Sequence, residues 1–315
     1  MIKEGGYDDL VVQEIKAGLS LPVAEISPKY FYNDLGSQLF ELITGLKEYY
    51  PTRTEREIMN LNSNDLNACL APYQLLIDLG AGNCEKAVEL MKTASFESYL
   101  AVDISEEFLS RHVAILQKQN KLTEMQYLGT DFMNAFELPR VYRNRDKVFF
   151  YPGSSIGNFE PSRAQSFLKN LLDQTDDGAS NALLIGVDLI KDHNILNEAY
   201  DDPLGVTAAF NLNVLDHLND KVGTDFKIRE WSHIAYFNTE HSRIEMHLEA
   251  RSEQVVKMRD GPWQRSFAKG ERILTEYSYK YSVENFTQML KHVGFKSVTH
   301  WVDRNEWFGV FFATP

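Results

Sequence analysis

The chain has 315 residues, with 32 Lys plus Arg against 45 Asp plus Glu, a formal charge of −13, and 43% apolar residues. That supplies the core of one large domain or two closely joined ones and excludes a disordered chain. The negative surplus repels phosphate backbones and anionic membranes, so neither nucleic acid nor lipid is expected as a partner. A small-molecule substrate and, independently of charge, a monomeric chain are expected.

The start, MIKEGGYDDL, lacks the basic segment and apolar run of a signal peptide, and no stretch approaches the ~18 consecutive apolar residues of a membrane span, so a cytoplasmic location is expected. Cys69 and Cys84 are too few for a disulfide framework and read as reduced structural thiols. The eight histidines include no pair at the i, i+4 spacing that places two imidazoles on one metal, so no metal site is expected. A GxxxxGK[ST] phosphate loop is absent.

Residues 8 to 18 have apolar positions at helical spacing and stop at Gly18. Residues 29 to 57 gather four tyrosines and two phenylalanines around a short helix over roughly 36 to 44, an aromatic core from which Tyr32, Tyr49 and Tyr50, beside turn residues, can face a ligand. Residues 74 to 104 read as strand, glycine turn, helix and strand. A helix over 106 to 119, a weak strand at 126 to 129, an apolar strand from 147, a helix over 162 to 173 and a buried strand over 181 to 190 follow. Strands alternating with helices of this length predict an open, doubly wound α/β sheet.

From about residue 192 the pattern changes. Helices are expected over 194–199 and 203–218, then alternating strands over 233–258 with a turn near 238–242, and another over 272–282. These segments are assigned to a second, smaller α+β lobe. A helix over 283–293 and a hairpin to the C-terminus return to the sheet edge. The expected division is 60–195 with 283–315 for the sheet domain, and 1–59 with 196–282 for the lobe.

The glycine turn, LIDLGAGNCEK, follows an apolar strand, where backbone can approach a ligand at the carboxyl edge of a doubly wound sheet. Gly80-x-Gly82 lacks the third glycine of a dinucleotide fingerprint, which disfavours an NAD-linked oxidoreductase. Asp103, ending the second strand, suits ribose hydroxyls, and Asp131 with Phe132 after the third strand suits an adenine ring. This set points to S-adenosylmethionine.

Six blocks then occur in order: YFYNDLGSQLFELITGLKEYYPTRTEREI, LIDLGAGNCEK, YPGSSIGNF, AYDDPLGVTAAFNLNVL, RIEMHLEARS and LTEYSYKYS. Together they resemble the histidine-specific methyltransferase family, which includes the ergothioneine-pathway enzyme that makes hercynine, the trimethylated betaine of histidine. The resemblance covers roughly residues 25 to 315 and implies a Rossmann-like class I methyltransferase sheet with a substrate-binding lobe. It implies that Gly80, Gly82 and Lys86 form the cofactor loop, that Asp103 binds the ribose, that Asp131 and Phe132 hold the adenine, and that Gly153 and Ser154 line the same cleft. For the amino acid it implies Tyr32 near the amine, Tyr49 lining the pocket, Asn158 on the backbone groups and Tyr200 on the carboxylate. Met246 matches a pocket methionine, and Glu276 and Ser278 match the pair that reads the imidazole. Two departures stand out: Asn33 replaces an aspartate, and Asn83-Cys84 follow the second glycine where serine or threonine is common.

Residue chemistry agrees with the last pair, since alternate strand residues point the same way and both can reach one small ring. The reaction expected is successive, in-line methyl transfer to the neutral α-amine of free L-histidine, with the Tyr32 phenol as the catalytic group that orients the lone pair. Tyrosine faces suit the final trimethylammonium through cation–π attraction. The alternatives are N-methylation of another aromatic amino acid or an indole derivative such as tryptophan, and a catalytically silent binding protein that keeps the cofactor fold.

Overall fold

The computed structural model describes residues 9–119, 123–175, 178–259 and 261–315. Its strands, in chain order, are β1 (Ala24–Glu25), β2 (Leu75–Leu79), β3 (Ser98–Asp103), β4 (Glu124–Gly129), β5 (Lys147–Tyr151), β6 (Asn181–Asp188), β7 (Trp231–Asn238), β8 (Arg243–Ala250), β9 (Gln254–Lys257), β10 (Gln264–Phe267), β11 (Arg272–Tyr279), β12 (Ser297–Val302) and β13 (Phe308–Thr314). The chain forms two compact units. One runs to Tyr49 and resumes over Asp192–Tyr277, and the other comprises Tyr50–Lys191 and Ser278–Pro315. The first boundary thus falls ten residues before the expected 59/60, and the last falls inside β11 rather than at 282/283.

The shift at the first boundary has a local cause. Pro51–Leu61 is a helix whose proline sits at the first position, where the missing N–H costs nothing. Its buried face includes Thr54 and Glu55 beside Ile58, so few apolar residues mark that face in the sequence, and the helix packs on β13 in the sheet unit. A second unexpected helix, Ser63–Leu70, follows it.

The larger unit holds a seven-stranded sheet in the order β12-β13-β6-β5-β2-β3-β4. The five strands from β6 to β4 are parallel, and β13 and β12 close the edge as an antiparallel hairpin. Every residue of β2, β5 and β6 is buried, as expected of parallel strands covered on both faces. The edge strand β4 buries only Met125 fully, which explains its weak sequence signal and its start two residues early. The core joins Ile58, Leu66, Leu70, Leu90, Leu109, Phe150 and Phe308. Successive strands run outward from β2 through β3 to β4 and then return to β5 beside β2. This is the class I methyltransferase arrangement, and its switch point lies between β2 and β5, where doubly wound sheets bind ligands.

The other unit contains the sheet β1-β11-β8-β7, in which β7 and β8 are an antiparallel hairpin paired from Trp231↔Ala250 to Asn238↔Arg243. A two-stranded ribbon, β9 with β10, accompanies it. The helix Val206–Val222 packs on the helix Asp34–Thr44 and on β7 and β8. The first helix, Asp9–Leu19, runs through Gly18 instead of stopping there, and that glycine makes room for the Glu25 carbonyl, 2.6 Å from where a Cβ would lie; residue 8 lies outside the described residues.

Candidate active site

At the switch point the backbone after β2 turns through left-handed conformations, with φ of +73° at Gly80, +51° at Gly82 and +63° at Cys84. Glycine takes these angles without a Cβ penalty. A Cβ at Gly82 would meet nothing within 4 Å, so the loop presents bare backbone to open space there, while one at Gly80 would lie 3.6 Å from the Phe132 ring. Cys84 occupies the left-handed position before the helix Glu85–Thr93; burial, and then the nearby Asp78 carboxylate, push its thiol up to about 12. Both cysteines are free thiols, and Cys84 acts as a packed turn residue.

Asp103 fixes this loop. Its Oδ2 accepts from Gly82 N at 3.0 Å and its Oδ1 from Ser105 N at 2.9 Å. Each carboxylate oxygen keeps a second lone pair for a ribose hydroxyl. Phe132 is buried and meets Tyr151 edge-on, ring centroids 5.9 Å apart, and Asp131 is half-buried just before it. Beneath the loop, Asp78 is buried; Oδ2 accepts from the Tyr99 hydroxyl at 2.8 Å, and Oδ1 has no hydrogen-bond partner among the described residues. Burial raises Asp78 to about 7, against the opposing pull of the Tyr99 hydrogen bond and Lys86. Open glycine backbone, an aromatic wall, a ribose-type carboxylate and an orphaned acidic oxygen fit a cofactor that carries adenosine and positive charge.

Gly153 and Ser154, after β5, face the same switch point with φ of +79° and +61°. The structure adds Glu55, which sequence reading missed. Its carboxylate is 2% exposed, bonds Lys86 Nζ at 2.7 Å through Oε2 and accepts from Gly153 N at 2.8 Å through Oε1. Glu55 therefore ties the glycine loop to the β5 turn. Ser154 is turned inward, its Oγ accepting from Asp188 N at 2.8 Å. The run Gly153–Gly157 also has the spacing of a serine-hydrolase nucleophile elbow, but Ser155 opens a 3₁₀ turn and its hydroxyl lies on Pro152 O at 3.5 Å, with no histidine bonded to it among the described residues.

At the end of β6, Asp188 anchors a second group that sequence reading missed. It accepts from the Tyr50 hydroxyl at 2.7 and 2.8 Å, from Lys191 Nζ at 2.5 Å and from Lys280 Nζ at 2.8 Å. Burial alone would raise its pKa, but the two ammonium groups hold it below the usual carboxylate range. Burial lowers Lys191 to about 8, partly offset by Asp188. Lys280 Nζ also donates to Ser278 Oγ at 2.7 Å. A Cβ at Gly157 would lie 2.8 Å from Tyr279 O, so the turn that ends at Asn158 lies directly on the end of β11.

The other unit brings Tyr32, Tyr49 and Tyr200 into one aromatic cluster. Tyr32 meets Phe40 and Phe210, each at 5.8 Å, Tyr49 meets Phe40 at 6.2 Å, and Tyr49 meets Tyr200 at 6.3 Å. Asn33 caps the helix Asp34–Thr44, its Oδ1 accepting from Gly36 N at 2.7 Å and from Asn213 Nδ2 at 2.8 Å. The departure from aspartate thus keeps the N-cap. Tyr200 is held from behind: Asn211 Nδ2 donates to His233 Nδ1 at 2.8 Å, which leaves the ring proton on Nε2 to bond Tyr200 O at 2.9 Å. Burial lowers His233 below its ordinary pKa, against the Tyr200 bond, so this neutral imidazole is a support. Met246 is buried on β8, opposite Ala235 of β7. Glu276 is half-buried and Ser278 buried, two apart on β11.

Residues 11–315 match the family described as histidine-specific methyltransferase, SAM-dependent. The histidine N-alpha-methyltransferase of Mycolicibacterium smegmatis is 36% identical over 96% of this chain and 94% of its own, and that of Mycobacterium tuberculosis is 35% identical over the same shares. Ergothioneine biosynthesis protein 1 of Neurospora crassa is 33% identical over 88% of this chain, which spans 32% of that longer protein. The chain belongs to the S-adenosylmethionine-dependent, histidine-specific methyltransferase family.

Proposed function

We infer that the protein transfers methyl groups from S-adenosylmethionine to the α-amino nitrogen of free L-histidine, successively, to give the trimethylated betaine. The observation that carries this reading is the match to the histidine-specific family over residues 11–315. When bound, the cofactor supplies an electrophilic methyl carbon on a sulfonium.

Every other contribution comes from the chain's own residues. Gly80, Gly82 and the Gly153–Ser154 turn offer backbone to the cofactor, Lys86 its ammonium, Asp103 its carboxylate to the ribose, and Asp131 with Phe132 an edge and a face to the adenine. Tyr32 orients the lone pair of the neutral amine; a phenol of ordinary pKa ~10 suits orientation rather than strong base catalysis. Asn158 and Tyr200 hold the amino acid's backbone groups, Tyr49 and Met246 bound its pocket, and Glu276 and Ser278 read its ring. We assign the amino-acid contacts chiefly to the unit containing β7 and β8, and the cofactor contacts to the sheet unit. Aligning nitrogen and methyl carbon at ~3–3.5 Å is the main source of rate, worth several kcal/mol.

Among the described residues no helix is long and apolar enough to cross a membrane. The two free thiols suit a reducing compartment, and we take the protein to act as a cytoplasmic monomer. Incubation with labelled cofactor and a panel of free amino acids tests the reading. Label in histidine is the expected result, and preferential labelling of tryptophan would replace histidine with an indole substrate.

A further inference from the structure

We propose that Lys280 is a positioning residue for substrate recognition, fixing the Ser278 hydroxyl as a hydrogen-bond donor to the unprotonated nitrogen of a neutral imidazole. The inference rests on the proposed histidine reading, and in particular on Ser278 touching the ring.

Lys280 follows Ser278 by two residues and its side chain is fully buried. Its Nζ lies 2.7 Å from Ser278 Oγ and 2.8 Å from Asp188 Oδ2. An ammonium has three N–H donors and no acceptor. At this contact Ser278 therefore accepts, and its own proton points elsewhere. The polarity is locked because the lysine cannot swing away. Asp188 holds it, Tyr50 and Lys191 hold Asp188, and Tyr281 N donates to Asp188 O at 3.2 Å while Ile190 N donates to Tyr281 O at 3.0 Å.

A serine free to rotate serves as donor or acceptor, whereas one bonded by a cation donates. Glu276, two residues earlier, accepts. A donor and an acceptor on one strand match a neutral imidazole, which has one N–H and one lone pair. They mismatch an imidazolium, which has two N–H groups, and an indole, whose ring nitrogen offers only N–H. A site built to bond a polar atom discriminates strongly against analogues that lack it.

Lys280→Met tests the assignment. Asp188, Lys191 and Lys280 together carry one surplus positive charge, so removing Lys280 leaves a balanced Asp188–Lys191 pair, and the variant is expected to fold and to bind S-adenosylhomocysteine as the wild type does. Its KM for histidine is expected to rise about three- to tenfold, the ordinary worth of one hydrogen bond, with kcat nearly unchanged and the preference for histidine over tryptophan reduced by the same factor. Ser278→Ala should raise KM at least as much, and adding Lys280→Met to it should do nothing further, since the lysine acts through the serine.

Failure of the wild type to methylate histidine would overturn the substrate reading and this inference with it. An unchanged KM in Ser278→Ala would remove the ring contact. A KM raised by Ser278→Ala but untouched by Lys280→Met, or two effects that simply add, would overturn the role of Lys280 alone. If Lys280→Met does not fold, ¹⁵N spectra of ring-labelled histidine bound to the wild type decide. One N–H and one hydrogen-bonded pyridine-type nitrogen are expected, and an imidazolium pattern would refute the proposal.

Discussion

Replacing Glu55 by glutamine keeps the volume of a buried side chain and removes its charge. The amide oxygen can still accept from Gly153 N, which Glu55 bonds at 2.8 Å, but the amide NH₂ must then face Lys86 Nζ, now 2.7 Å from the other oxygen. Two donors confront each other, and Lys86 is released. A hydrogen bond to a charged partner is worth about 1.5–3 kcal/mol. The loss should sit near the lower end, because the Lys86 side chain is 30% exposed and can recover water. There is no slack to relieve the conflict: Glu55 Oε1 already lies over Gly186, where a Cβ would come within 1.9 Å of it. Thermal unfolding of Glu55→Gln should fall by several degrees. Calorimetric affinity for S-adenosylhomocysteine should fall about tenfold, because the glycine loop and the β5 turn lose their tie, and tenfold is about 1.4 kcal/mol. Glu57→Gln, at an exposed position on the same helix, is the control and should change neither. If Glu55→Gln melts and binds like the wild type, the tie plays no part in building the cofactor site.

Other substitutions probe separate parts of the site. Gly80→Ala forces a Cβ into φ +73°, which should cost about 1 kcal/mol of stability and weaken cofactor binding by calorimetry; undiminished affinity would show that the ligand does not approach this backbone. Tyr32→Phe keeps the ring contacts with Phe40 and Phe210, so it should melt normally while kcat falls about tenfold or more; an unchanged kcat would remove the phenol from the reaction. Burial pushes the Asp78 carboxyl up to about 7 in the native chain, well above the usual carboxylate range. Between about pH 4 and 7 the folded form holds a proton that the unfolded form has lost, so this group makes stability fall as pH rises through that window. Measured against an ordinary aspartate pKa of ~3.9, this corresponds at most to roughly 4 kcal/mol. Asp78→Asn should flatten this slope in urea unfolding without cofactor and be more stable than the wild type at pH 8. An unchanged slope would place the titration elsewhere.

The parallel sheet was legible because its central strands are apolar throughout, and the glycine turn because only a few residue types tolerate its angles. The helix Pro51–Leu61 was not, since its inward face carries Thr54 and Glu55 where apolar residues would give the period away. Glu55 and Asp188 share a reason for being overlooked: each is a single carboxylate whose meaning depends on partners far along the chain, Gly153 and Lys86 for one, Tyr50 and Lys280 for the other. A weak hint lay in plain view, because Asp188 ends an apolar strand as Asp103 does. Tyr32 and Tyr49 stood out in an aromatic segment and Tyr200 through the family resemblance, but their gathering into one cluster was not legible, nor was Phe210, which packs against Tyr32 from a helix nearly 180 residues away.

The most direct test of the account is mass spectrometry of purified protein incubated with L-histidine and excess S-adenosylmethionine. The account predicts mono- and dimethylated histidine as transients that give way to the α-N-trimethylated betaine, with one S-adenosylhomocysteine formed per methyl. Unmodified histidine, or methylation on a ring nitrogen, would contradict it.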